Sequence, residues 1–380
     1  MIPDSVPDHR EAARRRLPRL LFDYIDGGAM TETTLDRNVG DLRDLKLRQR
    51  VMRDVGTPDT RMSLLGRDWS MPVAMAPIGM AGYTARRGET QAARAARAAG
   101  IPYTLSTVGM CGLAEVTKAA GVPPWFQLYV FRDRSYLESL ISQARDLGCP
   151  VLMLTVDMAT AGRRWRDARN GFGGSPSLHA PVARAIDALS HPAWFWDAHL
   201  NGRPHVLGNL VQANPGARSL NDFWAWVREN FDPTVTWNDL EWIRARWPGT
   251  LILKGIQEAD DAKAAIAAGV DGLIVSNHGG RQLDGVRSSI SALPRVVEAV
   301  KGAVPVLMDG GIRNGADILR ALAQGADACL IGRAWAWALG GGGEAGVAQV
   351  LASLRNELEV TMKLTGCKQL SDIGPHLIDS

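Results

Sequence analysis

The chain predicts a closed (β/α)8 barrel, a TIM barrel, with an N-terminal helical extension and a long insertion after strand 4, within one 380-residue domain. Three observations carry this. From residue 70 onward, short apolar, β-favouring runs alternate with Ala-rich segments of helical period, the pattern of βα units around a parallel sheet. Eight such runs can be counted, the number that closes a barrel. The length suits a single unit, because (β/α)8 domains run past about 250 residues.

Taken in order, residues 1–70 read as a helical cap with a turn at Gly27-Gly28. The eight strands are predicted at Val73–Pro77, Tyr103–Ser106, Phe126–Tyr129, Val151–Val156, Leu251–Lys254, Leu273–Ser276, Val306–Asp309 and Cys329–Ile331. Between them lie predicted helices such as Glu89–Ala99, Tyr136–Leu147, Ala259–Ala268 and Gly315–Ala323, several ending at a glycine that supplies a left-handed cap. Strands 4 and 5 are separated by an insertion, residues 171–236, rich in tryptophan (Trp194, Trp196, Trp224, Trp226) and interrupted by prolines that include Pro181, Pro192, Pro204, Pro215 and Pro233. It reads as an accessory outside the core, serving as a lid over the active site, a membrane contact or a subunit contact. The one GxGxxG match, Gly341, Gly343 and Gly346, follows no strand and reads as a flexible connector. A dinucleotide site of the Rossmann kind is therefore rejected, since its fingerprint follows the first strand and opens a helix.

Composition removes several function classes. A net charge of +3 is too small for a nucleic-acid footprint. The four cysteines have neither CxxC nor Cys/His spacing, so no zinc site and no disulfide framework is expected and no metal is assigned. Residues 1–20 contain no apolar signal core, and no run reaches about 18 apolar residues, so secretion and membrane spanning are both disfavoured.

Barrel active sites are built at the C-terminal ends of the strands, so polar residues there are the candidates. They are Ser106, Gln127, Tyr129, Thr155, Asp157, Lys254, the run SNHGGRQLD from Ser276 to Asp284, the run Asp309-Gly310-Gly311-Ile312-Arg313, and Gly332-Arg333. Glycines and arginines after the seventh and eighth strands expose backbone N–H groups and bidentate donors where barrels hold phosphates, which points to a phosphorylated ligand. His278 and Arg281, separated by two glycines, place a titratable base and a fixed cation together. Arg281 can clamp a carboxylate while His278 takes a proton and Asp157 stabilises the imidazolium, an arrangement suited to an acid with a reactive C–H. Lys254 fits an anionic reduced cofactor, a Schiff base or an ion pair, and spacing does not choose among them. His9, His191 and His376 read as surface residues.

SNHGGRQLD and DGGIRNGAD (309–317), with Tyr24 before Asp26-Gly27-Gly28, MPVAMAPIG (71–79), WFQLYV (125–130) and TVD (155–157) leading into Arg164, resemble the FMN-dependent L-2-hydroxy-acid dehydrogenase and oxidase family over nearly the whole chain. Stretches such as LNGRPHVLGN and NFDPTVTWNDLEWIR, whose LNGRPH and NFDP lie in the insertion, are most similar to its bacterial quinone-linked, L-lactate-oxidising branch. Mandelate-type dehydrogenases and oxygen-using oxidases are the alternatives. The resemblance implies FMN against Pro77, Ile78, Gly79, Ser106, Gln127, Thr155, Lys254 and Ser276, with its phosphate at Asp309, Gly310, Gly311, Arg313, Gly332 and Arg333. Lys254 then lies beside the flavin N1 and C2 carbonyl region, where a cation favours the reduced form. It implies a substrate carboxylate held by Arg281, Arg164 and Tyr24, Tyr129 near the hydroxyl, and His278, paired with Asp157, as base. Arg164 is chosen over its neighbour Arg163. Glycine at 79, where oxygen-reactive relatives often carry alanine, leans toward a dehydrogenase that uses a quinone or another electron carrier. The resemblance also implies a homo-oligomer, a tetramer, and peripheral attachment to the cytoplasmic face of the bacterial inner membrane through the insertion, with a soluble cytoplasmic enzyme as the alternative.

Overall fold

A computed structural model describes residues 3–171 and 180–379. Eight parallel strands form the central sheet: β1 (Val73–Met75), β2 (Thr104–Ser106), β3 (Trp125–Leu128), β4 (Val151–Thr155), β5 (Thr250–Ile256), β6 (Gly272–Val275), β7 (Val306–Asp309) and β8 (Ala328–Ile331). Each pairs with its sequence neighbour except that β1 pairs with β8. A parallel bridge from Met75 to Tyr103 brings β1 against β2 and completes the (β/α)8 barrel. All eight predicted strands are present, within two residues at their ends.

The strand period of two explains both the core and the site. Ala74, Trp125, Val151, Met153, Ile252, Ile274 and Leu307 form an apolar cluster separate from the main core, and it fills the barrel interior. Their alternating partners, such as Leu152, Leu253 and Leu273, pack outward into the main core. The same inward parity continues to Gln127, Thr155, Lys254, Ser276 and Asp309, so the strands carry apolar filler below and polar groups above. Trp69, on a hairpin pairing Met62–Leu64 with Arg67–Trp69, plugs the lower end edge-on against Trp125 at 5.6 Å.

The N-terminal cap comprises α1 (Val6–Arg16), α2 (Arg19–Asp26) and α3 (Thr33–Asp44). Residues 46–70 depart from the expected helices. Lys46–Leu47 pairs with Ile378–Asp379 and residues 62–69 form the hairpin, because the run from Val51 to Thr60 holds Gly56 and Pro58 and offers no apolar face for a helix.

Three other expectations are corrected. Gly341, Gly343 and Gly346 are no flexible connector. They lie within the helical stretch Arg333–Thr365, which breaks geometry only at Gly343, and a Cβ on Gly341 would come within 2.9 Å of Ala12, so the small residues let α1 pack closely. His9 is buried rather than at the surface, and burial lowers its pKa. The insertion contributes to the core: Trp194, Leu207, Phe223 and Val227 are all buried in the main cluster. Its helix Leu220–Asn230 is tied to the barrel by an antiparallel bridge between Phe131 and Phe231 and by the Arg132 N–H donating to Asn230 O at 2.8 Å.

Candidate active site

The C-terminal strand ends open into a cavity of about 670 Å³. Tyr24, Pro77, Ile78, Gly79, Tyr129, Thr155, Arg164, Lys254, His278, Arg281, Asp309, Gly310, Gly311, Arg313, Gly332 and Arg333 all line it. Ser106, Gln127 and Ser276 are buried beside these residues: Ser106 Oγ donates to Gln127 Oε1 at 3.1 Å, and Lys254 Nζ donates to Ser276 Oγ at 2.7 Å. Asp157 stands behind His278.

One side is built for a flat polar ring ending in an anion. Gln127 Nε2, Thr155 Oγ1 and Asp309 Oδ1 are buried without a hydrogen-bond partner among the described residues, a costly state that a ligand's heteroatoms relieve. Lys254 does not end its strand as expected. β5 runs on to Ile256 through an irregularity at Gly255 (φ 115°), where a Cβ would come within 2.7 Å of Asp157. Burial works to discharge Lys254, but Asp309, 2.8 Å away, and Asp157 hold its pKa above the ordinary value. The Asp309 carboxylate is thus committed to Lys254. A phosphate is left the backbone of Gly310 and Gly311 and the two arginines. Arg313 is half-buried, and loss of surrounding water lowers its pKa to about 10, while Arg333 is buried and depressed for the same reason as it donates to the carbonyls of Ile25, Gly27 and Gly279. Desolvated guanidiniums facing backbone carbonyls retain uncompensated positive charge, the condition a phosphate satisfies. These residues fit FMN.

The other side carries His278, Asp157 and the two arginines that converge on Tyr24. His278 Nδ1 lies 2.8 Å from Asp157 Oδ1, and the His278 N–H donates to Ser276 Oγ at 3.0 Å. Burial would raise the Asp157 carboxyl, but His278 and Lys254 keep its pKa below the ordinary value. Arg281 lies 5.1 Å and Arg164 5.9 Å from the centre of the Tyr24 ring, on which they converge. Arg164 is paired with Asp167 at 2.9 Å, whereas Arg281 donates to Gly27 O. Burial and the nearby Arg164 lower the pKa of Arg281. Burial likewise raises those of Tyr24 and Tyr129, so both hydroxyls stay protonated. Arg163 is exposed at the cavity mouth, leaving Arg164 as the inner arginine.

The sequence marked Trp224 only as one of the insertion's tryptophans and did not single out Phe231 and Val227; all three roof the cavity from the insertion, with Phe231 edge-on to Tyr129 at 5.3 Å. Nor did it single out Asp167, the partner of Arg164. No local pattern marks these residues, because their roles arise from contacts across the chain.

The family described as FMN-dependent dehydrogenase matches residues 13–380. An L-lactate dehydrogenase of Caulobacter sp. (strain K31) is 52% identical over 378 residues, covering 100% of this chain and 99% of that protein. One from Actinobacillus pleuropneumoniae serotype 5b (strain L20) is 50% identical over 373 residues, 98% of this chain and 97% of that one. Among solved structures, the monotopic membrane protein (S)-mandelate dehydrogenase superposes with a TM-score of 0.93 at 34% identity, covering 100% of both chains. A mandelate oxidase gives 0.83 at 37% identity, over 99% of this chain and 98% of that one. With the match spanning nearly the whole chain and the cavity shaped for the cofactor, the protein is an enzyme that uses FMN and belongs to the FMN-dependent dehydrogenase family.

Proposed function

We propose that the enzyme oxidises L-lactate to pyruvate and passes the electrons to a quinone. The observation that carries the reading is a half-buried guanidinium, Arg281, standing without a carboxylate partner among the described residues, beside the His278–Asp157 pair. An incoming carboxylate restores the charge balance that burial denies Arg281, with Arg164 and Tyr24 as its second contacts. Oxidation of the alcohol to the ketone removes two electrons and two protons. His278 accepts one of those protons, and the anionic Asp157 on Nδ1 orients the ring and stabilises the imidazolium. Tyr129 contacts the substrate hydroxyl. FMN, when bound, supplies the two-electron acceptor. Lys254, kept charged by Asp309 and Asp157, offsets negative charge accumulating on the ring.

A peripheral place on the inner face of a bacterial membrane fits the insertion. Val182, Ile186 and Leu189, spaced four and three along the helix Ala180–Leu189, are each more than half exposed, as is Trp196. Such a stripe seats a helix in the lipid interface. No helix among the described residues is long and apolar enough to cross a membrane. A quinone acceptor is consistent with that location.

The test is the visible flavin spectrum of the FMN-loaded protein mixed anaerobically with L-lactate, D-lactate or L-mandelate. Rapid bleaching by L-lactate alone is expected. Bleaching by L-mandelate in its place transfers the assignment to the mandelate-type reading, which the 0.93 superposition favours. His278→Gln should retain FMN while bleaching at least about 10²-fold more slowly.

A further inference from the structure

His278 sits in an unfavourable backbone. Its φ is 58°, and Gly279 and Gly280 follow at 63° and 72°, three consecutive left-handed residues. For the histidine this conformation is unfavourable, so neighbouring contacts must hold it.

Those contacts lead to α3 in the N-terminal cap. Asn38, 2% exposed, and Asn277, 5% exposed, form a reciprocal amide pair. Asn38 Nδ2 donates to Asn277 Oδ1 and Asn277 Nδ2 donates to Asn38 Oδ1, both at 2.8 Å. Asn277 Oδ1 also accepts from the Gly280 N–H at 3.0 Å, closing the turn that carries His278 and Gly279. Asn38 Oδ1 accepts in addition from the Ser289 N–H at 3.1 Å, anchoring the start of the following helix. The second cavity loop meets the same residue: a Cβ on Gly311 would fall 1.9 Å from the Asn38 carbonyl oxygen, and one on Gly310 3.3 Å from Asn38 Nδ2. Asn38 is therefore wedged between the turn that presents the base and the turn facing the phosphate side of the cavity, although it lines neither.

We infer that Asn38 is a positioning residue, acting through Asn277 to hold the 277–281 turn in the geometry that aims His278 and Arg281 into the cavity. The inference rests on the reading of His278 as the base. A primary amide is required because one group must donate to Asn277 Oδ1 while accepting from both Asn277 Nδ2 and Ser289 N. Alanine supplies neither function, and aspartate keeps the acceptor but opposes its oxygen to Asn277 Oδ1.

The experiment compares FMN-loaded wild type with Asn38→Ala, Asn38→Asp, Asn277→Ala and the double Asn38→Ala/Asn277→Ala. Anaerobic flavin reduction by L-lactate is read beside amide exchange in 277–287. A misplaced base should slow reduction about 10²-fold in Asn38→Ala with FMN retained, and exchange at the Gly280 amide should accelerate. The double variant should be no slower than Asn277→Ala, because both changes break one linkage. Asn38→Asp, close to isosteric, supplies the comparison if Asn38→Ala does not fold, and the same slow reduction and fast exchange are expected. Wild-type reduction and exchange in a folded Asn38 variant, or losses that multiply in the double variant, would overturn the inference, as would lowered thermal stability with an unchanged reduction rate per bound flavin. If L-lactate fails to bleach the wild type, the proposed function fails by itself, and the exchange result still decides whether Asn38 holds the turn.

Discussion

At the residue scale, the substrate side of the site turns on guanidinium geometry. Arg281 has a planar fork that a lysine cannot reproduce, and it also holds Gly27 O. Arg281→Lys should lower kcat/KM for L-lactate about 10- to 100-fold, the range for a lost charge-assisted hydrogen bond, measured by steady-state kinetics with a dye acceptor. A second residue-scale prediction concerns pH. Burial works to raise the Asp284 carboxyl, but the Thr31 hydroxyl and the backbone N–H groups of Thr34, Gly285 and Thr31 lower its pKa from 3.8 to about 2. A carboxyl depressed by folding contributes stability above the unfolded value that is lost as pH falls through the folded one. The urea midpoint of the wild type should therefore exceed that of Asp284→Asn above pH 3.8, and the gap should close toward pH 2. The sequence made His278, Arg281 and Lys254 legible as candidates because each follows an apolar strand run. It could not show that Asp309 is neutralised by Lys254, since that ion pair joins neighbours across the barrel.

At the element scale, the barrel strands were readable because each is a short apolar run between helical segments. The inward parity of Gln127, Thr155 and Lys254 follows from the period of two. The insertion was not readable in the same way. Its prolines and tryptophans suggested an accessory, whereas Phe223 and Val227 are core residues and Phe231 reaches the cavity. That placement depends on the bridge to Phe131, far away in sequence. What the insertion leaves outside is the stripe on Ala180–Leu189. Ile186→Glu/Leu189→Glu should remain in the supernatant when sedimented with anionic phospholipid vesicles that bring down the wild type, with flavin reduction changed less than about twofold. Equal sedimentation of both proteins would refute membrane seating through this helix.

For the whole molecule, charge distribution matters more than net charge. Against an overall +3, exposed Arg132, Arg163 and Arg228 from three separate segments surround the cavity mouth. Such a rim raises the local concentration of an anionic substrate and is screened beyond about 10 Å at 0.1 M salt. kcat/KM for L-lactate should fall with ionic strength, and Arg132→Gln/Arg163→Gln/Arg228→Gln should flatten that dependence. An identical salt slope in the triple variant would remove the rim from substrate capture. What the sequence by itself determined is the eightfold alternation, the polar strand ends and the family to which they belong, because these are local patterns of period and spacing. Only the tertiary structure decided that His9 is buried, that the glycine run packs against α1, that the insertion roofs the cavity, and that Asn38 meets the turn carrying His278 from 239 residues away. Each of these depends on which distant surfaces the closed barrel brings into contact, and no local pattern records that.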